Sequence, residues 1–413
     1  MTQSAELPSR TVDAVVAGGG PAGLAAALAL AHAGLSVALS APEPPPRTGP
    51  DTRTTALFGG TVELLRHLGA WSALEPVSAP LLGLRMIDDT GSLLRAPETL
   101  FRAEEVGLAA FGYNIENSDL NRALGDRVAT SSHSITRLAA AVGDLTWTAN
   151  GVSVGCGGGI EPLTCRLVAG ADGRNSFCRT AAGIEARRWS YPQAALAVRF
   201  KHTRPHDGIS TEFHRRSGPL TTVPLPGLWS SLVWVETPEE AERLRGMPEG
   251  EFVATLEARL QGLLGSIEGI GPRTVFPLMG LTADPLAHNR VVLVGEAGHV
   301  IPPIGAQGLN LGFRDVAWIA ELAGRAVRAG TDPGSPQVLA DYVAARTSDV
   351  GQRTWAVDLL NRSLLADFLP VDAVRGLGVL ALNALPALRR RVMQEGIGPA
   401  GDLPELLRPV APA

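Results

Sequence analysis

The reading of this chain turns on one stretch, Val12-Asp13-Ala14-Val15-Val16-Ala17-Gly18-Gly19-Gly20-Pro21-Ala22-Gly23. Residues 12–17 are short, apolar and β-branched, the pattern of a strand buried on both faces. Three glycines follow, and residues 22–33 are then rich in Ala and Leu, both good helix formers. Pro21 suits the first turn of that helix, where its missing N–H would have had no intrahelical partner. Gly34 suits the position just past the helix end, and residues 36–40 read as a returning strand. The whole is a strand–helix–strand unit of about 30 residues, the size of a parallel crossover.

The spacing Gly18-x-Gly20-x-x-Gly23 has a physical rationale in that setting. The first glycine permits the tight turn, the second lets backbone approach a pyrophosphate, and the third allows the helix to pack closely on the strand. Free amides and partial positive charge at the helix N-terminus complete an anion site. In a chain with 47 glycines the spacing alone is weak evidence, and its strand–helix context makes dinucleotide binding the expectation. An acidic residue that would hydrogen-bond the adenosine ribose belongs about 20 residues further on. Leu39-Ser40-Ala41-Pro42 stands there instead, with Glu43 arriving late. Either Glu43 reaches back or Ser40 substitutes.

Outward from this unit, residues 42–50 are a Pro-rich loop, and 61–68 and 120–128 read as helices, the second with Asn117 or Ser118 as N-cap. Short runs at 145–148, 152–156 and 163–169, separated by Gly-containing turns, read as a β-meander feeding back toward the nucleotide unit. Runs at 194–202, 209–214, 220–223 and 229–235 predict an antiparallel sheet, with helices at 239–245 and 251–264 after it. Residues 290–294 form a further buried strand, and from 316 onward the chain reads as mostly helical.

Lys plus Arg number 36 and Asp plus Glu 41, giving a net charge of −5 without any block of like charge. That gives no case for a nucleic-acid partner. Cys156, Cys165 and Cys178 lack CxxC spacing and nearby histidines, so no metal site is expected, and sparse unpaired thiols suit a cytoplasmic location. The apolar run 22–39 approaches membrane-spanning length but is interrupted by His32, Gly34 and Ser36, and a buried core explains it better.

Two further segments narrow the reading. Gly170-Ala171-Asp172-Gly173-Arg174-Asn175-Ser176 follows a strand, and residues 295–310 (GEAGHVIPPIGAQGLN) form a second Gly-rich segment. With the phosphate turn, this ordered triple resembles the FAD monooxygenases of the p-hydroxybenzoate hydroxylase fold. Asp51-x-Arg53-x-x-Ala56-Leu57, residues 112–117 (GYNIEN), Trp189-x-Tyr191-x-Gln193, residues 231–234 (SLVW), residues 358–360 (DLL) and Arg375-x-x-Gly378 are similar to the UbiH/UbiF-like ubiquinone-biosynthesis hydroxylases. The resemblance implies an α/β (α+β) fold: a Rossmann-like FAD-binding domain with a β-meander, an antiparallel-sheet substrate domain and a helical C-terminal region. The expected boundaries are 1–188 and 285–345 for the two parts of the FAD-binding domain, 189–284 for the substrate domain and 346–413 for the C-terminal region.

The resemblance also implies roles. Gly18, Gly20, Pro21, Ala22 and Gly23 would cradle the pyrophosphate, with Arg53 near pyrophosphate and flavin and Asn117 near the ribityl chain. Asp172 would contact the phosphate region, and Glu296 the ribityl or ribose hydroxyls. Pro303, Gly305, Gln307, Gly308, Leu309 and Asn310 would line the isoalloxazine ring. The family usually has Gly-Asp where this chain has Gly295-Glu296, a carboxylate longer by one methylene. From the residues themselves, Gly305-x-x-Gly308 opens a helix whose dipole would favour a reduced, anionic flavin.

The implied activity is hydroxylation of a polyprenylated phenol through a flavin hydroperoxide, with O2 and with NAD(P)H or another electron donor. A hydroxylase of another aromatic, a prenyl reductase and a non-catalytic FAD-binding accessory subunit are the alternatives. His299 is a weak candidate acid/base, set against a packed structural histidine. Trp189, Tyr191, Trp229 and Trp234 line a cavity or fill a core. Residues 374–388, followed by three arginines, are too short to span a bilayer and either lie peripherally on a membrane or pack on the core. A biosynthetic complex or homo-oligomer is the remaining partner class.

Overall fold

The computed structural model describes residues 10–43, 51, 53–91, 95–365, 378, 380–398 and 402–410. Most of the Pro-rich loop, Arg375 and the first part of the 374–388 segment therefore lie outside the described residues.

Arg10–Ala17, the first strand, sits inside a parallel sheet. Its neighbours are Val37–Ser40 on one side and Leu163–Gly170 on the other, and the parallel set is completed by Ile135–Leu138 and Val291–Leu293. Both faces are covered, which is why its Ala14, Val15 and Val16 are fully buried. The helix Pro21–His32 buries nearly every side chain from Gly23 to Leu30. Small alanines let it pack closely on the long helix Gln307–Arg328. Gly34, just past its end, takes φ +97°, and the helix stops there.

The meander strands occur at Val142–Thr148, Gly151–Cys156 and Leu163–Gly170. The last is more than a meander strand. One of its edges pairs along its whole length with Arg10–Ala17, while the other takes Gly151–Cys156 early and Val291–Leu293 late. The meander is thereby fused to the nucleotide sheet.

A second, nine-stranded sheet is built around Glu185–His202, flanked by Thr274–Asp284 and Trp229–Glu236. Its alternation is clear. Leu196, Val198 and Phe200 point to one face and pack against the helices Pro238–Gly246 and Glu249–Leu260 through Leu244, Phe252 and Leu256. Arg199 and Ser231 point the other way, toward the nucleotide unit, where they meet Glu116 and Thr54. Gly83–Asp88 and Thr99–Arg102, from early in the chain, also join this sheet, and Gly83–Asp88 runs parallel to Ile209–His214. Thr274–Asp284 pairs onward with His299–Val300, which ties the Gly-rich segment to the second sheet.

The C-terminal part is helical: Gln307–Arg328, Pro336–Leu365 and Pro386–Ile397. No helix among the described residues is long and apolar enough to cross a membrane.

Candidate functional site

A cavity of about 940 Å³ opens at the C-terminal end of the first strand. Gly18 has φ +120°, and a Cβ there would stand 2.2 Å from the Ala171 carbonyl oxygen. A Cβ on Gly23 would meet the Gly18 carbonyl oxygen at 2.0 Å, so helix and turn are in contact. Gly20 is different: nothing lies within 4 Å of where its Cβ would be, and it borders the cavity with Pro21 and Ala22. Gly20 caps the helix without a side-chain hydrogen bond, which leaves the first amides turned toward that space.

Arg53 borders the same cavity from the chain leading into the strand Thr54–Phe58. Its guanidinium forms a two-pronged pair with Asp51 (Nε–Oδ1 and Nη2–Oδ2, each 2.8 Å) and lies over the Phe276 ring. That pairing raises the Arg53 pKa above its ordinary value. Asn117 is the first residue of the helix Asn117–Thr130; the cap itself is Glu116, not Asn117 or Ser118, and Glu116 is held by Arg199 instead. Asn117 Oδ1 is buried without a hydrogen-bond partner, and so is Oδ1 of Asn121 one turn on. Both asparagines face the cavity. The motifs did not include Asn121, although its spacing of four from Asn117 puts it on the same helix face.

Asp172 is turned into its own loop: Oδ1 accepts from Ser176 Oγ (2.6 Å) and Oδ2 from the Cys178 amide (3.0 Å). Its neighbours Ala171 and Gly173, rather than its carboxylate, border the cavity. Glu296 is exposed at the rim and pairs with Arg174 at 3.2 Å. At the adenosine end the Ser40 hydroxyl is buried, donating to the Ala140 carbonyl at 2.6 Å, and Glu43 is exposed. The side chains bordering the cavity nearby include Arg122 and Arg137.

Along the Gly-rich segment, Gly308 and Leu309 border this cavity, whereas Gly305 and Gln307 border a second one of about 780 Å³. Pro303 is exposed. Ala306, the cap of the long helix, is held at φ 52°, an uncommon conformation for a residue with a Cβ. Asn310 is fully engaged: Nδ2 donates to the Ala56 and Ala306 carbonyls, and Oδ1 accepts from the Phe58 amide and Thr61 Oγ1. It clamps the helix start to the strand Thr54–Phe58.

His299 is buried. Its Nε2 lies 2.6 Å from Asp315 Oδ2, and its Nδ1 has no partner while the ring borders the first cavity. Asp315 also accepts from the Gly295 amide (2.9 Å) and from Arg346 Nε (2.7 Å). Burial pushes the Asp315 carboxyl up, but His299 and Arg346 outweigh it and hold its pKa below the ordinary value. Arg346 continues to Asp349, which also binds Arg353, and Arg353 Nη1 donates to Gln307 Oε1 at 2.8 Å. A buried charge network thus joins the Gly-rich segment to the C-terminal helices. Of the strand aromatics, Trp234 is fully buried core and Trp189 donates to Tyr191, which donates to Asp358; none borders either cavity.

Comparison with known proteins assigns the chemistry. Residues 11–355 match the FAD binding domain family. The chain is 34% identical over 392 residues to ubiquinone hydroxylase UbiL of Rhodospirillum rubrum, covering 94% of this chain and 90% of that protein. It is 28% identical to the 3-demethoxyubiquinol 3-hydroxylase of Escherichia coli, covering 95% of this chain and 100% of that protein. Among solved structures, p-nitrophenol 4-monooxygenase PnpA from Pseudomonas putida superposes with a TM-score of 0.76 at 19% identity, covering 95% of this chain and 100% of that one. The chain belongs to the FAD binding domain family, in its ubiquinone-hydroxylase branch, and is an FAD-dependent monooxygenase of the p-hydroxybenzoate hydroxylase fold.

Proposed function

We propose that this enzyme hydroxylates the aromatic ring of a polyprenylated phenol on the route to ubiquinone, with O2 as oxygen source and NAD(P)H or another donor supplying electrons. Its relatives, a ubiquinone hydroxylase and a 3-demethoxyubiquinol 3-hydroxylase, support that substrate class. The observation that carries the reading is the second cavity. Its walls include Leu84, Met86, Ile304, Val357 and Leu360, and it shares Gly305 and Gln307 with the segment bordering the first cavity. Charged and polar side chains, among them Glu212, Arg314, Asp349 and Arg353, complete the lining, and its apolar residues suit an aromatic ring that carries an apolar chain.

The residues of the first cavity fit FAD. Open space at Gly20 and the amides of the helix start suit the pyrophosphate, beside Gly18, Pro21, Ala22 and Gly23. Arg53 adds positive charge there. The unpartnered oxygens of Asn117 and Asn121 are acceptors for ribityl hydroxyls, and Glu296, paired with Arg174, presents a carboxylate at the rim. Gly308 and Leu309, which border the cavity, would hold the flavin ring, with Pro303, Gly305, Gln307 and Asn310 shaping the segment around them. Asp172 acts indirectly, by folding the loop that brings Ala171 and Gly173 to the cavity. When bound and reduced, FAD supplies the electrons that activate O2. The chain's own task is to hold the ring in the second cavity and exclude water, which would divert activated oxygen to hydrogen peroxide.

The apolar stripes Trp355/Leu359 and Leu388/Val392, with exposed Arg390 and Arg391 beside the second, are the surface proposed to rest on an anionic membrane. Ala356, Val357 and Glu395 from the same helices border the second cavity, so a lipid-borne substrate would enter from that side.

The test is direct. Purified holoprotein, given NADH or NADPH and a short-chain prenylated phenol, is expected to yield a product heavier by one oxygen in mass spectrometry. Stoichiometric bound FAD with no oxygenated product from any phenol would overturn the reading. Co-sedimentation with phosphatidylglycerol vesicles, lost in a Trp355→Ser/Leu359→Ser variant, tests the membrane face.

A further inference from the structure

We propose that Glu212 takes the phenolic proton of the substrate, with His214 holding it in place; the proposal rests on the hydroxylase reading above. Residues alternate along the strand Ile209–His214. Phe213 packs into the core beneath the outer helices, and Glu212 and His214 share the opposite face. Register places Met86 beside Glu212 and Leu84 beside Ser210. Leu84, Met86 and Glu212 all border the second cavity, together with Gly305 and Gln307 of the flavin segment.

A carboxylate on this wall needs an explanation. Glu212 is 8% exposed, and burying an acid among Leu and Met side chains is costly unless its oxygens are satisfied. Only one of them is well held: Oε1 accepts from His214 Nε2 at 2.6 Å. Oε2 receives a long contact from Thr221 Oγ1 at 3.4 Å, which leaves it acceptor capacity. The other carboxylates at this cavity differ. Asp349 is saturated by Arg314, Arg346 and Arg353, Glu395 pairs with Arg391, and Asp402 is exposed. Glu212 is therefore a buried carboxylate, fixed through one oxygen and open through the other, on the chamber wall that a substrate ring would contact.

The chemistry needs such a group. A neutral phenol, with a pKa near 10, is a poor nucleophile at its ring carbons, and loss of the O–H proton raises electron density at the ortho and para positions. In the proposed step the phenol O–H bond breaks and its proton passes to Glu212 Oε2. The electron pair left behind is delocalised into the ring, where a carbon forms the new C–O bond as the O–O bond of the reduced oxygen breaks. That carbon then sheds its own proton, which ends in the water made from the other oxygen atom, and the phenol oxygen regains a proton from Glu212, so the carboxylate ends as it began. One atom of O2 enters the ring and the other leaves as water, with the two electrons coming from the donor through FAD.

The experiment compares Glu212→Gln with the parent holoenzyme on two prenylated phenols, one unsubstituted and one carrying ring fluorines that make it ionise near neutral pH. With the unsubstituted phenol, product per reduced nicotinamide consumed is expected to fall about 100-fold, the scale of a lost general base, with hydrogen peroxide made instead. With the fluorinated phenol, which needs no base, the variant is expected to come within about tenfold of the parent. His214→Asn should show the same pattern in weaker form, and it carries the test if Glu212→Gln fails to retain FAD. Undiminished hydroxylation of the unsubstituted phenol overturns the proposal, as does an equal loss on both phenols, which would mean Glu212 only shapes the chamber. If the parent holoenzyme oxygenates neither phenol, the substrate reading itself fails and takes this proposal with it.

Discussion

The two cavities border one Gly-rich segment yet are made in opposite ways. The first draws much of its wall from segments with little or no side chain: glycines at a strand end, the start of a helix, and the Ala171–Gly173 loop. The second is bounded by side chains from widely separated segments, with Leu84, Glu212, Gln307, Arg353 and Glu395 among them. A backbone site tolerates few changes of shape, whereas a side-chain site tolerates few changes of charge. This contrast yields predictions of different kind and size.

The largest concerns the charge network behind the second cavity. Arg346 is almost wholly buried and bridges Asp315 and Asp349 at 2.7 and 2.6 Å. Arg346→Met would leave two buried carboxylates short of a cation, a class of change that costs about 3–5 kcal/mol. Denaturant titration should show that loss. A cost below about 1 kcal/mol would mean that solvent reaches the network and that the contrast is overdrawn.

Shape is tested next. Gly23→Ala would force a Cβ against the Gly18 carbonyl at 2.0 Å, with the nearest relief through the turn itself. A loss of about 3 kcal/mol is expected, at the upper end of overpacking costs. Gly20→Ala meets nothing within 4 Å, so its thermal midpoint should stay near that of the parent. Its FAD affinity should drop, because the methyl enters the space a pyrophosphate would fill. Equal destabilisation by both variants would show that the turn is read wrongly.

This difference also explains how much was legible in the sequence. The Gly18–Gly23 turn could be read because everything it needs is local: one strand, one turn, one helix. Strands bounded by Gly/Pro turns, such as Ile209–His214, appear where their pattern places them. What escaped was non-local. Nothing in Gly83–Asp88 announces that it will lie parallel to a strand more than a hundred residues later, yet it brings Leu84 and Met86 to Glu212. The strand Leu163–Gly170 reads as a meander element, and only tertiary pairing shows that it is central to the nucleotide sheet. Asn117 and Ser118 read as caps because such residues usually serve there; Glu116 takes that position while its side chain is held by Arg199. His299 allows two readings, and its pairing with buried Asp315 favours the packed one, although the residue also borders the first cavity.

A smaller effect comes from pH. Burial raises the Asp349 carboxyl, and Arg314, Arg346 and Arg353 outweigh it, bringing its pKa to about 2 from an ordinary 3.8. A depressed carboxyl contributes stability above its unfolded pKa and loses it as pH falls through the folded one. The network should thus be at full strength above about pH 4 and shed about 2 kcal/mol between there and pH 2. Asp349→Asn should flatten the acid limb of the stability curve over that window. An unchanged limb would place the acid sensitivity elsewhere.

The smallest effect is also the most discriminating, because its sign differs between the free and loaded protein. Asn121 Oδ1 has no hydrogen-bond partner within the protein at the first cavity. Replacing Asn121 by Ala breaks no protein hydrogen bond of that oxygen, so the apoprotein should be no less stable than the parent. The same change removes an acceptor for the cofactor, and FAD affinity should weaken about tenfold, the worth of one hydrogen bond at about 1.4 kcal/mol. Thermal melts of the apoprotein and a fluorescence titration with FAD separate the two. If Asn121→Ala destabilises the apoprotein and leaves FAD affinity unchanged, its oxygen serves the fold and not the cofactor.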